Sequence, residues 1–371
     1  MRVILDKLRQ GDTLVARQLL LTYLKSLRKY NSDKNILRHK LFNIFTELAD
    51  QAIKSEQLEF ASHVLNYAEL FKEDIVTMNF RAELLKLRNQ LEESEQVYRD
   101  TIAKFPQDVV ARTGYAEILK LRNQLEESEQ VYRDTIAKFP QDVVARNGYA
   151  EILKLRNQLE ESEQVYRDTI AKFPDNVVAR NGYANLLLKL QRFEEARQLL
   201  SAQIARLQTR DDWINFHVYA MSFVRERKWD EAVSSLKRGV HDAPVESRNH
   251  FRSALAFAQL QQCRWKDALD TLREVEPSPL EQPLVQLLEV EIYAEQALAT
   301  EDQQQRAEYQ HNAEQRLEQV RARPGLTVWL QRAMNQLIES YQLLTGKMIA
   351  AITPTQREAA NDAMFDALLA A

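Results

Sequence analysis

The chain has 371 residues, of which only 7 are glycine and 9 are proline, with 45% hydrophobic residues, 28% charged residues and a formal net charge of -4. So few backbone breakers argue for long uninterrupted elements and against a sandwich, a barrel, a doubly wound sheet or a low-complexity chain. The near-neutral balance makes no global case for nucleic acid, no stretch approaches the roughly 18 apolar residues of a membrane span, and a lone Cys263 excludes an internal disulfide or cysteine metal cluster.

The first segment, Met1 to Lys7, breaks its apolar run with charge after three residues and lacks the hydrophobic stretch of a secretion signal. A cytoplasmic location is therefore expected. Residues 1–41 read as a basic helical cap or abbreviated repeat. Arg2, Lys7, Arg9, Arg17, Lys25, Arg28, Lys29, Lys34, Arg38 and Lys40 face only three acidic residues in the first 40. This patch predicts a solvated helix pair, contact with an acidic partner or nucleic acid, or head-to-tail self-association with the acidic residues 281–371.

The chain then repeats itself. Pro106, Pro140 and Pro174 are 34 residues apart. Segment 82–112 matches 116–146 at 30 of 31 positions, and 116–146 matches 150–180 at 29 of 31. Repeats of this period imply stacked units, each burying its neighbour's apolar face. In the second copy the periodicity predicts helices over 109–121 and 125–138. Tyr115, Ala116 and Leu119 form a stripe on the first; Leu125, Ser128, Val131, Tyr132 and Ile136 recur at three- and four-residue spacing on the second. Arg122-Asn123-Gln124 makes the tight link, Pro140 stops the second helix, and small Ala116 and Ser128 permit close approach.

These features resemble the tetratricopeptide repeat family. The resemblance rests on the 34-residue period, on Ala82, Ala116, Ala150 and Ala184 in the first helix, on Tyr98, Tyr132, Tyr166 and Leu200 in the second, and on the proline closing each unit. The departures are Ser94, Ser128, Ser162, Thr101, Thr135 and Thr169 where alanine is common, and Met78, Arg112, Arg146 and Arg180 where an early aromatic is common. The resemblance implies an all-α, right-handed α-solenoid of stacked helix-turn-helix repeats with helical caps. Its units fall at about 42–74, 75–108, 109–142, 143–176, 177–210, 213–246 and 249–277. Gly11-Asp12, Ala16 and Leu20 resemble the family's turn and second helix, so an abbreviated unit is expected at the start.

Residues 278–371 read as acidic C-terminal helices. Ser278-Pro279-Leu280-Glu281 fits a capping box, with helices then running 282–299, 303–322 and 326–345. Thr355-Gln356-Arg357-Glu358 fits another, opening a helix with Ala360, Met364 and Leu368 on one face. That helix is read as a cap on the last repeat or as an element that docks into a partner.

In the family the resemblance points to, the first helices line a concave groove. On the face turned from the second helix stand Asn79, Glu83 and Lys86; Thr113, Glu117 and Lys120; Asn147, Glu151 and Lys154; and Asn181, Asn185 and Leu188. Asparagine donates and accepts, so such rows can hold an extended peptide's backbone, whereas the Glu and Lys three apart also read as solvated surface pairs. Glu83, Glu117 and Glu151 argue against a clamp for a C-terminal carboxylate. No glycine-rich phosphate loop or metal motif is present, and the six histidines are scattered, with His241 ending a helix where it meets the dipole. Cys263 reads as a buried or incidental thiol, and Trp213, Trp229, Trp265 and Trp329 as packing anchors. The expectation is a non-catalytic scaffold or adaptor, without cofactor, that binds a peptide or helix of a partner protein. A regulatory peptide receptor of the same repeat type, and a nucleic-acid-associated subunit using the basic first 40 residues, are the alternatives.

Overall fold

The computed structural model describes residues 2–9, 12–30, 34–54, 57–70, 74–205, 207, 209–277, 281–323, 326–343 and 352–370. The helices are α1 (Arg2–Arg9), α2 (Thr13–Tyr30), α3 (Lys34–Lys54), α4 (Leu58–Glu69), α5 (Ile75–Leu87), α6 (Leu91–Lys104), α7 (Val109–Leu121), α8 (Leu125–Lys138), α9 (Val143–Leu155) and α10 (Leu159–Lys172). They continue as α11 (Val177–Lys189), α12 (Phe193–Ile204), α13 (Arg210–Arg225), α14 (Trp229–Asp242), a 3-10 turn Val245–Ser247, α15 (Arg248–Gln261), α16 (Trp265–Arg273), α17 (Gln282–Ala299), α18 (Gln303–Arg321), α19 (Val328–Tyr341) and α20 (Pro354–Ala370). The fold is an all-α solenoid of helix-turn-helix repeats, divided into two compact units, 1–162 and 163–371.

Local chemistry sets each repeat. Asp108 caps α7 by accepting from the amides of Val110 and Ala111, and Asp142 caps α9 through the amide of Ala145. Between first and second helices the chain reverses at Asn89, Asn123 and Asn157, whose φ values of 59°, 60° and 62° are left-handed. Asparagine tolerates that region better than most residues. The corresponding positions Gln191, Arg227 and Cys263 adopt it too.

In unit 1 the helices of a pair are joined by a buried bond. Ser94 Oγ donates to the Ala82 carbonyl, Ser128 Oγ to Ala116 and Ser162 Oγ to Ala150, each at 2.7 Å. Serine in place of alanine thus keeps the small volume and adds a link across the pair. Arg112 and Arg146, standing where an aromatic is common, donate to the carbonyls of Pro106 and Pro140.

Successive pairs are joined by a ring and a glycine. Tyr98 and Tyr132 are buried in clusters with Ala111 and Ile118, and with Ala145 and Ile152. Tyr98 lies against Gly114 and Tyr132 against Gly148, so closely that a Cβ at either glycine would overlap the ring. A charge pair repeats with the same period: nearly buried Glu95 takes Arg99 at 2.6 Å and the Arg122 guanidinium, and Glu129 takes Arg133 and Arg156. The α3 and α4 helices pack through Leu48, Ala49, Ala61 and Leu65.

Unit 2 continues these devices. Tyr166 lies against Gly182, and Glu163 pairs with Arg167 and Arg192, both at 2.7 Å. Burial opposes ionisation of Glu163, but hydrogen bonds from Arg192 and Tyr183 and the arginine charges outweigh it and hold the carboxyl below the usual range. Trp213 meets the rings of Phe216 and Phe251 edge-on, at 5.7 and 6.2 Å, and so anchors the packing of α13 on α15. Trp229, Trp265 and Trp329 are half-buried.

Two details differ from the sequence reading. The cap of α20 is Thr353, whose Oγ1 accepts from the amide of Gln356 while Gln356 Oε1 accepts from the amide of Thr353. Pro354 then occupies the first turn, where its missing N–H costs nothing, so the box lies two residues before Thr355–Glu358. Cys263 is exposed, because the left-handed turn holds it outward. The proposed box at Ser278–Glu281 falls largely on residues outside those described.

Candidate functional site

The first helices present one face that the second helices do not cover. In unit 1, each carries a residue set at i, i+3, i+7 and i+10. On α5 these are Val76, Asn79, Glu83 and Lys86; on α7, Val110, Thr113, Glu117 and Lys120; on α9, Val144, Asn147, Glu151 and Lys154. The 3.6-residue period brings all four onto one stripe.

The outermost members are apolar. Val76, Val110 and Val144 are 43%, 55% and 60% exposed. The sequence reading did not select them. Their signal was the doublet Val109-Val110, repeated as Val143-Val144: adjacent helical residues point about 100° apart, so both cannot reach the core.

The asparagines are tied into the scaffold. Asn79 Nδ2 donates at 2.8 Å to Asp108 Oδ2, the carboxylate that also caps α7, so it binds one first helix to the start of the next. Its Oδ1 is buried without a partner. Asn147 is half-buried at the same position, and Thr113 bonds back to the Val109 and Val110 carbonyls, both at 3.1 Å.

The Glu and Lys rows pair as their spacing predicts. Lys86 meets Glu83, Lys120 meets Glu117 and Lys154 meets Glu151, each at 2.7 Å and half-buried. Behind them stand the tyrosine hydroxyls. Burial and the Glu83 charge push the Tyr98 phenol far above its ordinary value; burial, Glu117 and Glu151 do the same for Tyr132. These hydroxyls stay protonated donors, and Tyr98 Oη donates to Glu83 Oε2 at 3.5 Å. The stripe in unit 1 is thus an exposed valine row beside a row of neutralised Glu–Lys pairs.

Unit 2 carries a more apolar version. On α11 stand Val178, 63% exposed, then Asn181, Asn185 and buried Leu188. The Oδ1 atoms of Asn181 and Asn185 are buried without hydrogen-bond partners. On α13 the equivalent residues are Ile214, His217, Met221 and Val224.

Of the basic residues in the first 40, Lys7 is half-buried, while Arg17 and Lys40 are exposed. The side chains of Arg2, Arg9, Lys25, Arg28, Lys29, Lys34 and Arg38 lie outside those described. His241 Nδ1 meets Asp242 Oδ1 at 2.6 Å on the surface at the end of α14. Among the described residues, no three His, Cys, Asp or Glu side chains are placed to hold a metal, and no helix is long and apolar enough to cross a membrane.

Family comparison places these repeats. Profiles described as tetratricopeptide repeat match residues 82–143 and 155–216. A search of curated proteins finds no match. Among solved structures, the chain is similar to a tetratricopeptide repeat protein from Parabacteroides merdae, at 12% identity and a TM-score of 0.51, covering 71% of this chain and 97% of that one. It is also similar to a thermophilic repeat protein of Thermus thermophilus, at 16% identity and a TM-score of 0.42, covering 49% of this chain and 98% of that one. For pilF of Pseudomonas aeruginosa the values are 13% and 0.44, covering 57% and 96%. At these identities the likeness concerns the fold alone.

Proposed function

Because the chain is a tetratricopeptide repeat protein, we propose that it is a non-catalytic scaffold whose first-helix groove takes a peptide or helix of a partner protein. The observation that carries this reading is the row Val76, Val110 and Val144. Three β-branched side chains stand in water at one repeat position, although nothing in the packing of the pair requires them there. Exposed apolar residues in a row beside a charged rim are what an interaction surface needs.

The Glu–Lys pairs beside the valines supply polar edges that a ligand meets without stripping an isolated charge. The ligand chemistry that fits is a segment with apolar side chains at repeat spacing and polar groups on one flank. Asn79 contributes by holding its first helix in register with the start of the next.

The test is a triple replacement, Val76→Ser, Val110→Ser and Val144→Ser. Each valine buried at an interface contributes up to about 1–2 kcal/mol, so together they weaken partner binding by at least tenfold. Binding is measured by affinity capture from the native host with quantitative mass spectrometry, and stability by thermal melting. Unchanged capture by a chain with an unchanged melting temperature would overturn the proposal.

A further inference from the structure

The last helix of unit 2 departs from the repeat pattern. In the preceding pairs each second helix packs on the next first helix: α12 on α13, α14 on α15 and α16 on α17. The α20 helix instead pairs with α19 and lies against α13, α15 and α17, three first helices in succession. Within unit 2 it lies beside Val224, the last residue of the α13 stripe, and Phe257 of α15, while Ile214, the counterpart of the valine row, stays 41% exposed.

The contact has an apolar floor and a charged rail. Ala360, Ala363, Met364, Phe365, Ala367 and Leu368 of α20 are all buried. Glu358, Asp362 and Asp366 stand four residues apart on one edge, and each meets an arginine. Arg227 meets Glu358 at 2.7 Å, Arg225 meets Asp362, and Arg332 meets Asp366 at 3.4 Å. Arg225 also lies over the Phe365 ring, and Gln261 and Asn361 exchange amide hydrogen bonds at 2.8 and 2.9 Å. At the start of the helix Arg357 grips Glu295 through two bonds, at 2.8 and 2.9 Å.

The fit is incomplete. A cleft of about 340 Å³ runs along α20, between Val224, Trp229 and Phe257 on the receiving side and Pro354, Asn361 and Phe365 on the helix. Much of the buried floor is alanine, which brings little area; of the rail pairs Arg227–Glu358 is solvent-exposed on both sides and adds little, while Arg225–Asp362 and Arg332–Asp366 are each half-buried on one side. A tethered helix needs only weak intrinsic affinity to stay seated, because the tether keeps its effective concentration high.

We propose that the face formed by α13, α15 and α17 is a helix-binding site, that α20 is its displaceable resident, and that the external ligand is an acidic amphipathic helix of a partner protein. That ligand carries carboxylates at i, i+4 and i+8 to meet Arg227, Arg225 and, from the adjoining α19, Arg332, and a larger apolar side chain to fill the cleft beside Trp229 and Phe257. This rests on the reading that first-helix faces take ligands, but it concerns a different unit and is independent of the valine row.

The test uses the full chain and a labelled peptide with the sequence of residues 352–370. The double variant E358K/D362K reverses the rail of α20 and releases the groove. The peptide binds this variant at least tenfold more tightly than wild type, the affinity falls with salt, and adding R225E/R227E abolishes it. Equal binding to variant and wild type, or none to the variant, overturns the proposal. Where the variant fails to fold, amide hydrogen exchange of wild type decides. Exchange in α20 at least tenfold faster than in α15 and α17 supports the proposal, and equal rates overturn it. A wild-type dimer that E358K/D362K loses makes the occupant a second copy and overturns the assignment to a partner. The triple valine variant leaves all these readouts unchanged, so failure here and failure of the unit 1 groove are told apart.

Discussion

Gly148 lies inside α9, where glycine costs about 1 kcal/mol relative to alanine in an exposed helix. On propensity alone, Gly148→Ala should stabilise the protein. Packing reverses the sign. A Cβ at this position would sit 2.7 Å from the Tyr132 hydroxyl and closer still to two ring carbons, against an ordinary contact of 3.4–4 Å. The ring has to move by about 1 Å, yet Tyr132 is only 3% exposed and held among Ala116, Ala145 and Ile152. Overpacking of this kind costs about 1–3 kcal/mol, which outweighs the propensity gain. The expected net effect is about 1 kcal/mol of destabilisation, read as a lower urea midpoint. Gly114→Ala, against Tyr98, repeats the effect, and the two changes share no partner ring, so their costs add. Tyr132→Leu combined with Gly148→Ala recovers part of the loss in a double-mutant cycle, because the shorter side chain vacates the space. A higher urea midpoint for Gly148→Ala alone would refute the reasoning, since propensity and not the ring would then govern this position.

Replacing Glu129 with glutamine leaves Arg156 and Arg133 without their shared carboxylate and lowers stability by about 2 kcal/mol, measured by urea unfolding. Cys263→Gly relieves a left-handed φ of 59° and raises stability by about 1 kcal/mol in the same assay; no gain would mean that the turn is not strained there. His217 has a pKa lowered from 6.5 to about 3, chiefly by burial and then by the charge of nearby His250. Below pH 6.5 the unfolded chain takes up a proton that the folded chain refuses, so stability falls by about 1.4 kcal/mol per pH unit until about pH 3. His217→Gln flattens this slope in unfolding titrations between pH 6.5 and 4.5, and an unchanged slope would assign the acid sensitivity elsewhere.

Much of the fold was legible because its causes are local. The first and second helices of the second copy end where the periodicity set them, at 109–121 and 125–138. Asn123 and Pro140 each act within a few residues of their own position. The faces of the first helices were legible for the same reason, and the Glu83–Lys86 pair forms because the two are three residues apart on one helix. The cap of α20 was misplaced by two residues because Thr353 and Thr355 both stand three before a capping residue, and only the backbone of the turn selects Thr353.

The sequence by itself determined that this protein is a stack of 34-residue helical pairs, since self-similarity and helical period need no knowledge of distant neighbours. Only the tertiary structure decided what each face meets. Asn79 is drawn to Asp108 at the start of the next first helix, Tyr132 is wedged against Gly148, Val110 is left in water, and α20 is turned back across α13, α15 and α17. An amphipathic pattern fixes how much of a helix must be buried. It carries no information on which surface buries it, because the hydrophobic effect is non-directional and that choice depends on shape and charge brought together from far along the chain.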